Sequence, residues 1–203
     1  MKKSILLLIA AVFLLLSGCG QTVYQTNDVT AYDKAFLVGN WHADLDSDLS
    51  LFPDELPAAA ESVTYSALLK VNLFDIDATI ILDCVLDEET FDSEIARLSG
   101  LSKVIRDRGE TYTNRVIYDE TSYRAPAYIT IDGFGNTYEY ALLDRAGHEI
   151  TYLYLSYPYP DTFPYPDYLK RDLSVYEEEN TLHAWSMYNH SFDGDRTWVE
   201  FDD

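Results

Sequence analysis

Four short segments, residues 115–118, 126–131, 137–143 and 149–155, alternate apolar and polar side chains with little chain between them. Asp132-Gly133-Phe134-Gly135-Asn136 separates the second from the third, and Arg145-Ala146-Gly147 the third from the fourth. A period of two is the pattern of a strand whose two faces meet different surroundings. Turn-rich connections this short return the chain antiparallel to itself. Upstream, residues 63–70 and 77–86 are rich in Val, Ile, Thr and Tyr, with Asn72-Leu73-Phe74-Asp75 as their connection. Downstream, residues 174–177, 181–187 and 196–201 resume the strand pattern, with turns at Glu178-Glu179-Asn180 and Asp193-Gly194.

One helix interrupts this series. In DEETFDSEIARLSG, Asp87 is placed to cap, and Glu88 and Glu89 suit the positive end of a helix. Phe91, Ile95 and Leu98 recur at i, i+4, i+7 as one apolar stripe, and Glu94 and Arg97 pair outside it. Thr30-Ala31-Tyr32-Asp33 resembles a capping box, followed by a short helix over 32–38. The expected fold class is α+β: mainly an antiparallel sheet or meander, with one or two helices packed against it. Gly39-Asn40-Trp41, between that short helix and a strand, is similar to the G-x-W signature of lipocalins. That resemblance implies the alternative, a lipocalin-like β-barrel carrying a small apolar ligand. The helix at 87–99 departs from the lipocalin plan of uninterrupted hairpins.

The first twenty residues, MKKSILLLIAAVFLLLSGCG, carry an address. Lys2 and Lys3 start a leader whose apolar run, residues 5–16, is too short to span a bilayer comfortably. Leu16-Ser17-Gly18-Cys19 resembles the lipobox of bacterial lipoproteins. The resemblance implies cleavage before Cys19, a diacylglycerol thioether on its sulfur and usually an acylated amine, which together anchor stably where one acyl chain does not. Residues 1–18 are then signal peptide, 19–29 a lipidated tether, and 30–203 one globular domain. The expected location is the extracytoplasmic face of the cell membrane. With its acidic, tyrosine-rich α+β domain, the chain resembles small lipoproteins of Gram-positive bacteria, a resemblance that transfers no activity.

Cleavage takes Lys2 and Lys3 from the 14 basic residues, leaving 12 against 35 acidic ones, a net charge of −23. Such a surface repels nucleic acid and anionic headgroups, so no nucleic-acid partner is expected and the lipid must hold the membrane. Beyond Cys19 only Cys84 remains, so no internal disulfide forms. Cys84 lies in a strand segment and is expected as a small buried hydrophobe.

Residues 44–55, DLDSDLSLFPDE, place Asp44, Asp46, Asp48 and Glu55 at positions 1, 3, 5 and 12 of a calcium loop. An EF-hand needs Gly at position 6, where the backbone turns left-handed, and this chain has Leu49 there. Pro53 and the missing entry helix argue against it as well. A strand, with leucines inward and aspartates outward, explains more. Calcium on Asp44, Asp46 and Asp48 outside an EF-hand stays as the alternative; no other cofactor is expected.

Residues 157–172, YPYPDTFPYPDYLKRD, carry four prolines within nine residues, which forbids helix and central strand. Tyr157, Tyr159, Phe163, Tyr165 and Tyr168 are spread along this loop as candidate binding residues, a rigid aromatic surface able to stack on sugar rings or grip a protein. The competing expectation is that the loop folds back and covers a sheet edge with its own aromatics. The sequence contains no G-x-S-x-G, H-E-x-x-H, P-loop or C-x-x-C motif. The leading expectation is therefore a non-catalytic binding or structural domain for an envelope protein or glycan. An envelope carbohydrate hydrolase using Asp and Glu, and the small apolar ligand carrier, are the alternatives.

Overall fold

The computed structural model describes residues 22–40, 49–71, 76–101, 105–107, 113–131, 137–156, 165–171, 174–175 and 185–186. Eight strands form one sheet in the order β1-β2-β3-β8-β7-β6-β5-β4, every neighbouring pair antiparallel. They are β1 (Thr22–Thr26), β2 (Ala60–Val71), β3 (Ile76–Leu86), β4 (Ile105–Asp107), β5 (Thr113–Asp119), β6 (Ala127–Ile131), β7 (Thr137–Asp144) and β8 (Glu149–Ser156). Helix α1 (Lys34–Asn40) lies between β1 and β2 in the chain, and α2 (Glu88–Leu101) between β3 and β4. A separate antiparallel pair joins β9 (Ser174–Val175) to β10 (Trp185–Ser186).

The expected α+β sheet with helices against it is what the chain forms. The barrel is not: β1 and β4 stand at opposite ends of the order, so the sheet is open. The chain reaches β4 by carrying α2 across to the far edge, then returns strand by strand until β8 meets β3. The tether expected over residues 19–29 is interrupted by β1, which pairs with β2 from Thr22↔Val71 to Thr26↔Ala67.

Both faces of the sheet are buried. On one, Leu69, Ile80, Leu82, Cys84, Ile150, Tyr152 and Tyr154 pack with Phe91 and Leu98 of α2 and Leu37 of α1. On the other, Ile81, Ile129, Tyr138, Tyr140, Leu153 and Leu155 pack with Tyr123 and Leu169. Strand β8 is buried on both faces from Ile150 onward, although its sequence alternates. Its tyrosines, Tyr152 and Tyr154, fill the first core, while Leu153 and Leu155 fill the second.

Helix α2 begins as its sequence predicts. Asp87 Oδ1 accepts from the Thr90 amide at 2.7 Å, and Phe91 and Leu98 are buried. That amide holds the Asp87 carboxyl below its usual 3.8. Asp87→Ala lowers Tm by roughly 2–4 °C at neutral pH. Because the folded-state pKa is depressed, the difference from wild type is present above the usual carboxylate range and shrinks as pH falls through it. Thermal melts at pH 7 and pH 2.5 check this. At α1 the capping differs from the expected box. Asp28 Oδ1 accepts from the Thr30 amide at 2.9 Å, and Asp33 Oδ1 accepts from the Phe36 amide at 2.8 Å. Each acid caps its own turn.

From Leu49 onward the expected strand is a loop laid over the core. Leu49, Leu51 and Phe52 are fully buried, yet Leu49 takes φ 51°, the left-handed backbone that leucine adopts at a cost. The loop is pinned from several sides. Arg97 donates to the carbonyls of Ser50 at 3.3 Å and Leu51 at 2.5 Å, Lys34 Nζ to that of Phe52 at 2.9 Å, and the Tyr32 hydroxyl to that of Pro53 at 2.5 Å. The Leu51 amide donates to the buried carboxylate of Glu139 on β7.

Candidate functional site: the Arg124 cleft and its tyrosine stack

The β5–β6 connection sets one wall of a cleft. Asp119 Oδ1 accepts from the amides of Thr121 at 3.1 Å and Ser122 at 2.9 Å, and the turned chain buries Tyr123 against Tyr140, ring centroids 5.2 Å apart. Arg124 follows this anchor. The opposite wall is the β7–β8 hairpin, where Asp144 Oδ1 accepts from the amides of Ala146 at 2.9 Å and Gly147 at 3.2 Å. His148 completes that turn at φ 48°. Between the walls lies a cleft of about 410 Å³ lined by Arg124, Pro126, Leu142, Asp144, Arg145, Glu149 and Thr151, among others. Leu142 with Thr151, and Asp144 with Glu149, are register partners, so all four stand on one face of the sheet.

Arg124 organises the cleft. Its Nη2 donates to Thr151 Oγ1 at 3.3 Å and lies 4.0 Å from Glu149 Oε1. Its side chain is 40% exposed, and the ion pair is a weak surface contact. The stronger constraint is aromatic: Arg124 Cζ sits 4.2 Å from the centroid of the Tyr168 ring. Tyr168 in turn stacks on Tyr165, centroids 5.3 Å apart and planes 18° from parallel. Tyr165 is 42% exposed and Tyr168 half-buried. Tyr140 donates its hydroxyl to the Tyr168 carbonyl at 2.8 Å, and the Arg171 amide donates to the Ser122 carbonyl at 2.8 Å, so the segment is tied to β7 and to the β5–β6 connection. Burial, then the Asp83 carboxylate, raise the Tyr168 hydroxyl pKa. Asp83 Oδ2 accepts from Thr64 Oγ1 at 2.9 Å, while its Oδ1 is buried with no hydrogen-bond partner among the described residues.

Of the five aromatic residues expected in the proline-rich loop, the structure therefore places two, Tyr165 and Tyr168, and brings them together. Tyr157, Tyr159 and Phe163 lie outside the described residues, as do Cys19, Asp44, Asp46 and Asp48. Residues 165–171 do fold back as the competing expectation held, with Leu169 5% exposed in the second core, but they cover a face of the sheet rather than an edge and leave a ring of Tyr165 outward. Among the described residues no group of His, Cys, Asp and Glu is arranged to hold a metal ion. Cys84 is fully buried, and that burial pushes its thiol up to about 12, the state of a packing residue rather than a nucleophile. The Asp144 carboxylate is committed to the turn amides, and Glu149 lies beside Arg124.

Sequence reasoning did not single out Arg124, Asp144, Glu149 or Thr151. An arginine in Thr121-Ser122-Tyr123-Arg124-Ala125-Pro126 has no periodic partner, and its neighbours come from strands distant in the chain. The one available signal is a cation beside an aromatic and a proline in an otherwise acidic chain. No protein-family model, curated protein or solved structure matches the chain.

Proposed function

We propose that the protein is a lipid-anchored binding domain on the extracytoplasmic face of the cell membrane, held through Cys19, and that it grips a cell-envelope glycan beside Arg124. The anchor rests on the basic start, the short apolar core and Leu16-Ser17-Gly18-Cys19. The observation that carries the binding role is the Tyr165–Tyr168 stack, stiffened by Arg124 and opening beside a cleft with guanidinium and carboxylate groups. A sugar ring presents C–H groups to an aromatic face and hydroxyls to charged partners, and this arrangement offers both. A stack already fixed by Tyr140, Arg124 and the Arg171 amide needs little further ordering when a ligand arrives.

Sedimentation of the purified full chain with insoluble cell-wall glycan tests the role. Tyr165→Ala, at the exposed ring, weakens binding about tenfold while Tm stays near that of wild type. Arg124→Ala has a similar effect on affinity, because Tyr168 loses its support. A wild-type chain that stays in the supernatant, or a Tyr165→Ala chain that binds unchanged, overturns the glycan role and turns the search to an envelope protein.

A further inference from the structure

We propose that the Arg124 cleft is carried at the end of the sheet farthest from the bilayer, so that it meets a glycan lying outside the membrane surface. This rests on the lipid-anchor reading above. Three peptide units separate Cys19 from Thr22, a reach of at most about 11 Å. Thr22 stands opposite Val71, and Val71 opposite Ile76, so these residues form the row of the sheet next to the anchor. At the other end of β3, Val85 stands opposite Glu149, and Glu149 opposite Asp144. Asp144 and Glu149 line the cleft with Arg124 and Arg145. The nine residue steps from Ile76 to Val85 run along one strand, which at 3.3 Å per residue is about 30 Å. Cleft and anchor therefore lie toward opposite ends of the sheet along the strand direction, on different strands.

Charge decides how the sheet stands. A mature chain of net charge −23 lying flat would press a broad acidic surface against phosphate headgroups. Standing on the Thr22 end reduces that contact to one row. Repulsion decays over about 8 Å at physiological salt, so an upright sheet places the cleft well beyond the headgroup field. A ligand reaching Tyr165, Tyr168 and Arg124 then approaches from the far side, as an envelope polymer does and a lipid headgroup does not.

The test uses the full chain, processed in its host and reconstituted into vesicles with spin-labelled headgroups. A thiol fluorophore is placed at Val23→Cys in one protein and Ala146→Cys in another; Cys84 is buried and stays unlabelled. Val23 lies one residue into β1 and is 52% exposed, and Ala146 is exposed in the hairpin turn. The expected result is loss of most of the Val23 signal to the membrane quencher and none of the Ala146 signal. Wall glycan added outside the vesicles then shields the Ala146 probe from aqueous iodide and leaves the Val23 probe unchanged. Equal membrane quenching at the two sites, in a chain that leaves the membrane fraction when Cys19→Ala is introduced, overturns the orientation alone. Failure of the glycan to shield Ala146 overturns the outward-facing site. A Cys19→Ala chain that fractionates like wild type overturns the anchor and the orientation together.

Discussion

Raising the pH past about 10 unfolds the protein cooperatively within a few pH units. Tyr140 and Tyr152 lie wholly inside, and burial holds both hydroxyls well above their usual 10. Tyr32 and Tyr65 are pushed the same way, again chiefly by burial, as is the Cys84 thiol. The folded state keeps these groups protonated, whereas the unfolded chain releases its protons near the usual values. Their contribution is therefore complete below about pH 9 and is lost as the pH rises toward the folded-state values. Tyr140 and Tyr152 alone give a slope of about 2.7 kcal/mol per pH unit once the unfolded chain ionises. A typical domain stability of about 5–15 kcal/mol is spent within a few units. Tyrosinate absorbance and far-UV circular dichroism, followed together, check this. Most tyrosines ionise in one step coincident with loss of the fold; smooth titration near pH 10 with the fold intact would contradict it.

Tyr152→Ala costs about 3–5 kcal/mol and lowers Tm by roughly 6–20 °C. Tyr152 sits on β8 at the centre of the sheet, its ring 5.6 Å from that of Phe52. Its hydroxyl donates to Glu94 Oε1 at 2.5 Å, and Arg97 donates to the same carboxylate. Arg97 also holds the carbonyls of Ser50 and Leu51. One side chain thus ties the sheet to α2 and, through Arg97, to the loop over the core. Tyr152→Phe separates packing from hydrogen bonding. Glu94 keeps its contact with Arg97, so the phenylalanine variant loses only about 0.5–1.5 kcal/mol. Urea denaturation of the two variants measures the split. Equal losses in both would mean that the hydroxyl, not the ring, carries the stability.

Much of the fold was legible because its signals are local. The spacing of Phe91 and Leu98 and the Asp87 cap act within two turns of one helix, and both form as expected; the Glu94–Arg97 pair, expected outside the apolar stripe, forms but turns inward onto Tyr152 and the Leu51 carbonyl. Turn chemistry at Arg145-Ala146-Gly147 brings β7 and β8 together. Less local features escaped. Thr22–Thr26 is polar enough to pass for a tether, and becomes a strand because the edge of β2 is there to pair with it. Ile105–Asp107 pairs with β5 as the edge strand of the sheet. The loop after Leu49 alternates like a strand, yet Arg97, Lys34 and Glu139 capture its backbone instead of a neighbouring ladder. The cleft was the least legible part. Its walls come from the β5–β6 connection and the β7–β8 hairpin, and the stacked tyrosines come from beyond β8, so the composition of no single segment announces it.

The pairing of β3 with β8 sets an order of assembly. Thr79 meets Leu155 and Val85 meets Glu149, contacts that span 76 and 64 residues of chain. Every other pair in the sheet except β3–β8 joins strands consecutive in the chain. A chain emerging amino-terminus first can zip β1 to β3 early, but β3 then waits with an open hydrogen-bonding edge until β8 arrives. Closing so distant a contact is slow, because the loop entropy is lost before the strand bonds form. A chain that stalls or is clipped before residue 149 keeps β1, β2 and β3 with no second neighbour for β3, the kind of edge that recruits strands from other molecules. The last strand of the meander therefore guards against association as well as completing the sheet.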